Sequence, residues 1–153
     1  MSTEPERDGG PWDSRWIMSV LPHRYPFLFV DRVLEIDPER RIVAIKNVTI
    51  NEEYFVGHFP GHPVVPGVLL IEGMAQAGGI LLLHGRGGRE RKLLYFTSIE
   101  RARVRRPVVP GDQVRYEVDV LRLRANHCRL GCRALVDGQV VAEAVLSSAT
   151  VDR

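Results

Sequence analysis

Two side chains in one stretch of this sequence are of types that move protons. His58 lies in Gly57-His58-Phe59-Pro60-Gly61-His62-Pro63-Val64-Val65-Pro66-Gly67, and Glu72 follows in Val68-Leu69-Leu70-Ile71-Glu72-Gly73-Met74-Ala75-Gln76. An imidazole, with an unperturbed pKa of about 6.5, can serve as a base at neutral pH. Glu72 is the one charged residue in an apolar run from Val68 to Leu83. Burying a carboxylate there is costly unless it is paired or protonated. Burial also raises a carboxyl pKa, which makes such a group a proton donor near neutrality. Both residues have plainer explanations: a loop histidine bonded to backbone, and a glutamate paired with an arginine at a subunit seam. Residue type alone leaves these open.

The neighbouring residues add to the chemistry. Pro66 suits the first turn of a helix, where its missing N–H is harmless. The N–H groups of Gly67 and Val68 then stand free at the helix start, where the dipole favours developing negative charge. Gln76 lies one turn past Glu72 on the same face. It either orients Glu72 or the leaving water, or is a core amide satisfied elsewhere. His58 and His62 share the HxxxH spacing of zinc ligands on a helix. Pro60, Gly61 and Pro63 forbid that helix and no third ligand stands nearby, so no metal is expected. The loop has no serine or cysteine to act as a hydrolytic nucleophile.

These residues need elements to hold them. Pro60, Pro63 and Pro66 bias Phe59, His62 and Val65 toward extended geometry, so the His58 loop is rigid. Val68 to Leu83 is long and poor in β-branched residues, which predicts a helix, apolar on nearly all sides and therefore buried. Gly85, Gly87 and Gly88 end it. Upstream, Ser14 is placed to cap a short helix through Trp16, Ile17 and Met18 to about Leu21. Pro22 and Pro26 bracket a stiff loop, Pro22-His23-Arg24-Tyr25-Pro26. Leu28 to Ile36 and Arg41 to Ile50 read as strands around the turn Asp37-Pro38-Glu39-Arg40. Leu93 to Ile99 reads as a third. Val114, Tyr116, Val118 and Val120 alternate with polar residues, as do Cys128, Leu130, Cys132, Ala134 and Val136. Asp137-Gly138 is a two-residue hairpin turn leading to Val140, Ala142, Ala144 and Leu146. The simplest packing is an α+β design, an antiparallel sheet curled around the buried helix.

A chain of 153 residues suits one domain. The expected division is a flexible N-terminal tail over residues 1–12 and a single domain over 13–153. A net charge of +2 and few aromatics among the arginines make nucleic acid a poor partner. The run from Gly67 to Leu83 is short for a membrane span and carries Glu72 and Gln76. The first ten residues contain no apolar leader stretch, so a cytoplasmic protein is expected. Cys128 and Cys132 share a predicted strand roughly 13 Å apart, too far for a disulfide. Two buried free thiols are expected.

Several stretches resemble one known family. Leu21-Pro22-His23-Arg24-Tyr25-Pro26-Phe27-Leu28-Phe29-Val30-Asp31-Arg32-Val33 resembles the opening motif of the (3R)-hydroxyacyl-acyl-carrier-protein dehydratases of type II fatty-acid synthesis. Gly57 to Val68 with Ile71 to Gln76 resembles their active-site motif. Arg106-Pro107-Val108-Val109-Pro110-Gly111-Asp112 and Ala134-Leu135-Val136-Asp137-Gly138 resemble a third and a fourth. The likeness runs from about Trp16 to Ala149 with the motifs in order. It implies a hot-dog fold, a homodimer as the minimal active unit and commonly a trimer of dimers. It places the catalytic histidine on His58 and the catalytic glutamate on Glu72, meeting across the dimer interface. Three departures bear on the acyl-chain preference: Gly73 where alanine is frequent, Thr97-Ser98 in place of an Ala-Gly pair, and Val104 where phenylalanine is frequent. Gly73 would either widen the substrate tunnel or allow close packing.

The implied reaction is loss of water from a β-hydroxyacyl thioester on a phosphopantetheine arm. His58 would take the proton beside the thioester carbonyl, Glu72 would protonate the departing hydroxyl, and the N–H of Gly67, with Val68, would steady the enolate oxygen. No redox change occurs, so no nicotinamide, flavin or metal is required. The implied partner is an acyl carrier protein, typically acidic. Arg101, Arg103 and Arg105 alternate along a predicted strand beside Arg106, as a docking face or as a solvated edge. A hot-dog thioesterase, a dehydratase-isomerase (which has aspartate where Glu72 stands) and an inactive acyl-binding module are the alternatives. Tyr95 and Phe96 are expected in the core rather than on the tunnel.

Overall fold

The computed structural model describes residues 10–84 and 92–152. A short helix, α1 (Ser14–Val20), opens the fold and buries Ile17 and Val20. Its cap is Asp13 rather than the expected Ser14: the Asp13 carboxylate accepts from the Trp16 N–H at 3.0 Å. Aspartate caps as well as serine, so the helix starts one residue away from the expectation. Residues 1–9 of the expected tail lie outside the described residues. Trp12, which that expectation included, is fixed to Val33 by two backbone hydrogen bonds of 2.9 and 3.0 Å.

Strands β1 (Arg32–Asp37) and β2 (Arg41–Asn47) follow, joined by a turn in which Glu39 has φ 63°. Both are shorter than the sequence pattern predicts. Leu28 to Val30 stay out of the sheet because the Phe27 carbonyl and the Phe29 N–H bond to the Gln76 side chain instead. Val48 leaves β2 to pair with Gly111 and Asp112. A 3-10 turn (Glu53–Val56) leads through the proline loop to α2 (Gly67–Leu83). Then come β3 (Lys92–Val104), β4 (Gln113–Arg124), β5 (His127–Val136) and β6 (Gln139–Asp152). The glycines expected to end α2, Gly85, Gly87 and Gly88, lie outside the described residues.

The six strands form one antiparallel sheet in the order β1-β2-β4-β5-β6-β3. The Asp137-Gly138 hairpin forms as expected, with φ 50° and 77°, the double positive φ of a type I′ turn. Val114, Tyr116 and Val118 on β4, Cys128, Leu130, Cys132 and Ala134 on β5, and Ala142, Ala144 and Leu146 on β6 are all buried. Period-2 alternation therefore sends one face of the sheet inward. The sheet curls around α2, on which Leu70 and every residue from Gly73 to Leu83 are buried. This is the hot-dog architecture. Cys128 and Cys132 are free and buried, and burial pushes the Cys132 thiol up to about 12.

Glycines inside α2 each cost about 1 kcal/mol of helix propensity. Close approach to the sheet offsets that. A Cβ on Gly73 would meet Tyr116 Oη at 2.1 Å and Cζ at 2.5 Å, and one on Gly78 would meet Leu130 Cδ1 at 2.5 Å. Tyr116 is 1% exposed and has no room to retreat. Gly73 therefore serves close packing, not a wider tunnel. Gly73→Ala should destabilise the protein by about 1–3 kcal/mol despite its better helix propensity, because overpacking outweighs it. Urea unfolding measures this, and an unchanged or raised midpoint would show that Tyr116 yields.

Candidate active site

The His58 loop is held by its own backbone. His58 N–H donates to the Tyr54 carbonyl (3.1 Å), Val64 N–H to the His58 carbonyl (3.0 Å), and Phe59 and His62 exchange two bonds of 3.0 and 2.8 Å. Val65 N–H ties the loop to the Val108 carbonyl at 2.8 Å. The His58 ring is half-buried and stacks on Phe59 with centroids 4.1 Å apart. Its Nδ1 lies 2.7 Å from the Val64 carbonyl. A carbonyl only accepts, so Nδ1 carries the proton and Nε2 keeps its lone pair. That tautomer is the one a general base requires.

Glu72 projects from α2 with its side chain 19% exposed. Burial raises its carboxyl pKa, and a hydrogen bond from Gln76 opposes that in part. Gln76 is 2% exposed and both of its polar atoms have partners. Its Nε2 donates to Glu72 Oε1 (3.1 Å) and to the Phe27 carbonyl (2.7 Å), and its Oε1 accepts from the Phe29 N–H (2.7 Å). Gln76 thus contacts Glu72 and is at the same time a buried amide held by the backbone of Phe27 and Phe29. The N–H groups of Gly67 and Val68 make no hydrogen bond among the described residues, as expected of a first helical turn. A Cβ on Gly67 would meet Val104 Cγ2 at 2.6 Å, so only glycine brings the helix start this close to β3.

A largely apolar cavity of about 300 Å³ opens beside Glu72. Its wall includes Gln76, Gly79, Leu94, Tyr95 and Phe96. The last two are 56% and 40% exposed, so they line the cavity and are not core, contrary to expectation. They lie on β3, an edge strand of the sheet among the described residues. The wall also takes in His23, a residue that sequence reasoning left as part of a stiff loop. Its Nε2 is 3.6 Å from Glu72 Oε1. The bracketing prolines, Pro22 and Pro26, were the available signal. His58 does not line this cavity, and among the described residues no hydrogen bond or ion pair joins it to Glu72.

The FabA-like domain family matches residues 21–145 of the chain. The chain belongs to that family. A 3-hydroxyacyl-[acyl-carrier-protein] dehydratase FabZ of Koribacter versatilis is 53% identical over 137 residues, covering 90% of this chain and 88% of that protein. The Bartonella henselae protein of the same description is 44% identical over 153 residues, covering 100% and 99%. Among solved structures, the dehydratase heterocomplex ApeI:P of Xenorhabdus doucetiae superposes with a TM-score of 0.77 over 90% of this chain and 91% of that one. At 17% identity it speaks to the fold alone.

In this FabA-like chain the arginine row differs from its expected form. A bulge between Glu100 and Arg103, with Arg101 at φ 52°, breaks the alternation, and β3 ends at Val104. Arg105 is outside the strand and pairs with Glu143. Arg101, Arg103 and Arg106 are exposed. Replacing Gln76 with leucine should cost about 2–5 kcal/mol, since it strips partners from the Phe27 carbonyl, the Phe29 N–H and Glu72 at once. Chemical denaturation reads this, and a loss below 1 kcal/mol would mean that water replaces the amide.

Proposed function

We propose that the chain dehydrates (3R)-hydroxyacyl-acyl-carrier-protein to the trans-2-enoyl form in fatty-acid elongation, with His58 as base and Glu72 as acid. The activity named for the close relatives supports the reading, and the environment of Glu72 carries it: a carboxyl kept toward its neutral form at the wall of an apolar cavity. His58 Nε2 takes a proton from the carbon between the thioester carbonyl and C3. The electron pair moves onto the carbonyl oxygen, toward which the Gly67 and Val68 N–H groups and the α2 dipole are disposed. The pair then returns, the C3–O bond breaks, and Glu72 gives its proton to the departing hydroxyl. Oxidation states balance without a redox cofactor.

In this reading a second copy supplies the histidine loop, which agrees with the lack of any hydrogen bond or ion pair between His58 and Glu72 among the described residues. Val56, Phe59, Val68 and Val104 are apolar and 82%, 50%, 72% and 52% exposed, as a face covered by a second copy would be. A trimer of such dimers, in the cytoplasm, is the expected setting. No helix among the described residues is long and apolar enough to cross a membrane. Arg101, Arg103 and Arg106 are placed to steer an acidic carrier.

The test follows carrier-bound (3R)-hydroxyacyl thioester by mass spectrometry. Wild type should remove one water, and His58→Ala and Glu72→Gln should each abolish turnover while remaining folded. Mixed and reassembled, these two inactive variants should recover roughly a quarter of wild-type activity, from random pairing in a two-fold dimer with sites shared between subunits. No recovery would place both groups in one subunit. Release of free carrier thiol would identify a thioesterase. The rate constant should also fall on the alkaline side, since rising pH ionises Glu72 and removes the acid. The midpoint should lie above the ordinary carboxylate range, as burial dictates.

A further inference from the structure

Two buried side-chain polar atoms among the described residues have no hydrogen-bond partner, His23 Nδ1 and Ser148 Oγ, and both residues line the cavity beside Glu72. His23 has the sharper consequence. The loop that carries it is fixed: Arg24 Nη1 donates to the Leu21 and His23 carbonyls (2.8 and 2.7 Å), Nη2 donates to the Met18 carbonyl (3.0 Å), and the Phe27 N–H closes on the Arg24 carbonyl (2.7 Å). These bonds fix the backbone that carries the ring, and the ring itself stands against Glu72 at the cavity wall.

A neutral imidazole carries one N–H and one lone pair. Orphaned buried N–H groups are rarer than under-satisfied acceptors, so the unpartnered Nδ1 is the lone pair and Nε2 bears the hydrogen. Nε2 is the nitrogen 3.6 Å from Glu72 Oε1, the oxygen that already accepts from Gln76 at 3.1 Å. At 3.6 Å this is a close approach and not yet a hydrogen bond, of the kind that commonly tightens when substrate arrives. Glu72 Oε2 has no bond among the described residues. We propose that His23 is a positioning residue for Glu72: its Nε2–H, together with the Gln76 amide, occupies Oε1 and confines the acid proton to Oε2, the oxygen free to meet the substrate hydroxyl.

The device works only while His23 is uncharged, because an imidazolium there would draw the proton off Glu72. Burial and the neighbouring Arg24 guanidinium both hold the His23 pKa below its ordinary value. Among the described residues, the charged groups that face the ring are Arg24 on its own loop and Glu72 on α2.

This inference rests on Glu72 being the acid, and the experiment separates the two. In the full-length protein, kcat and KM are measured for wild type, Glu72→Gln and four His23 variants, each checked by circular dichroism. His23→Gln sets its amide nitrogen near the Nε2 position and should keep kcat within about five-fold of wild type. His23→Asn reaches only the Nδ1 position. It and His23→Phe should lose about 10- to 100-fold in kcat with KM little changed, as expected for one hydrogen bond to a reacting group. His23→Lys, a fixed cation, should lose at least as much. A wild-type kcat in His23→Phe, equal losses in Gln and Asn, or a change confined to KM would each overturn the proposal. If His23→Phe does not fold, the Gln–Asn pair still decides. If wild type does not dehydrate, or Glu72→Gln keeps its rate, the proposed function fails first and the role of His23 with it.

Discussion

A carboxyl on a helix wrapped by a sheet must find its polar contacts inside the protein. Glu72 is in this position, and Gln76 supplies the contact. One amide satisfies the acid, the Phe27 carbonyl and the Phe29 N–H together. It thereby pins the segment before β1 onto α2, across 47 residues of sequence. Phe27 to Phe29 give up sheet pairing to make this contact. The Pro22–Pro26 loop just upstream is consequently laid along the helix, and His23 arrives at the carboxyl. Packing and loop position around Glu72 depend on a single side chain that uses both its donor and its acceptor atoms.

The other half is built differently. His58 is oriented by backbone carbonyls and N–H groups, within a loop that three prolines already stiffen. Among the described residues only the Val64 carbonyl meets the ring by hydrogen bond, and it selects the tautomer. Glu72 is met by the side chain of Gln76 in a half-buried setting, whereas His58 is set by main chain. Each half has its own supports, and among the described residues no hydrogen bond or ion pair links one to the other.

Much of this was legible in the sequence because it depends on local rules. Alternation marked the inward faces of β4, β5 and β6, and Asp137-Gly138 could only be a hairpin. The poverty of β-branched residues between Val68 and Leu83 marked α2. The misses are non-local. No local pattern announces that Leu28 to Val30 will bond to a glutamine far along the chain. Arg101, Arg103 and Arg105 alternate in sequence, but a bulge that depends on pairing with β6 rotates them out of line. Tyr95 and Phe96 look like core because aromatic strand residues usually are, yet their strand is an edge. His23 was hidden by its setting, since a histidine between two prolines gains meaning only once Glu72 is seen beside it.

The chain also contains its own control for the acid. Glu117 on β4 is 8% exposed, so desolvation works to raise its pKa as it does for Glu72. Glu117, however, is met by Arg115 at 3.1 Å, Arg41 at 3.3 Å and Arg133. These cations outweigh burial, and its carboxyl is held below the ordinary range. Glu72 has no arginine or lysine among its described contacts. Arg24, one residue from His23 in sequence, spends its guanidinium on three backbone carbonyls instead. A cation beside Glu72 would stabilise the fold and abolish the acid. What distinguishes the site is therefore which charges are kept away, in a protein whose basic residues are nearly all arginine.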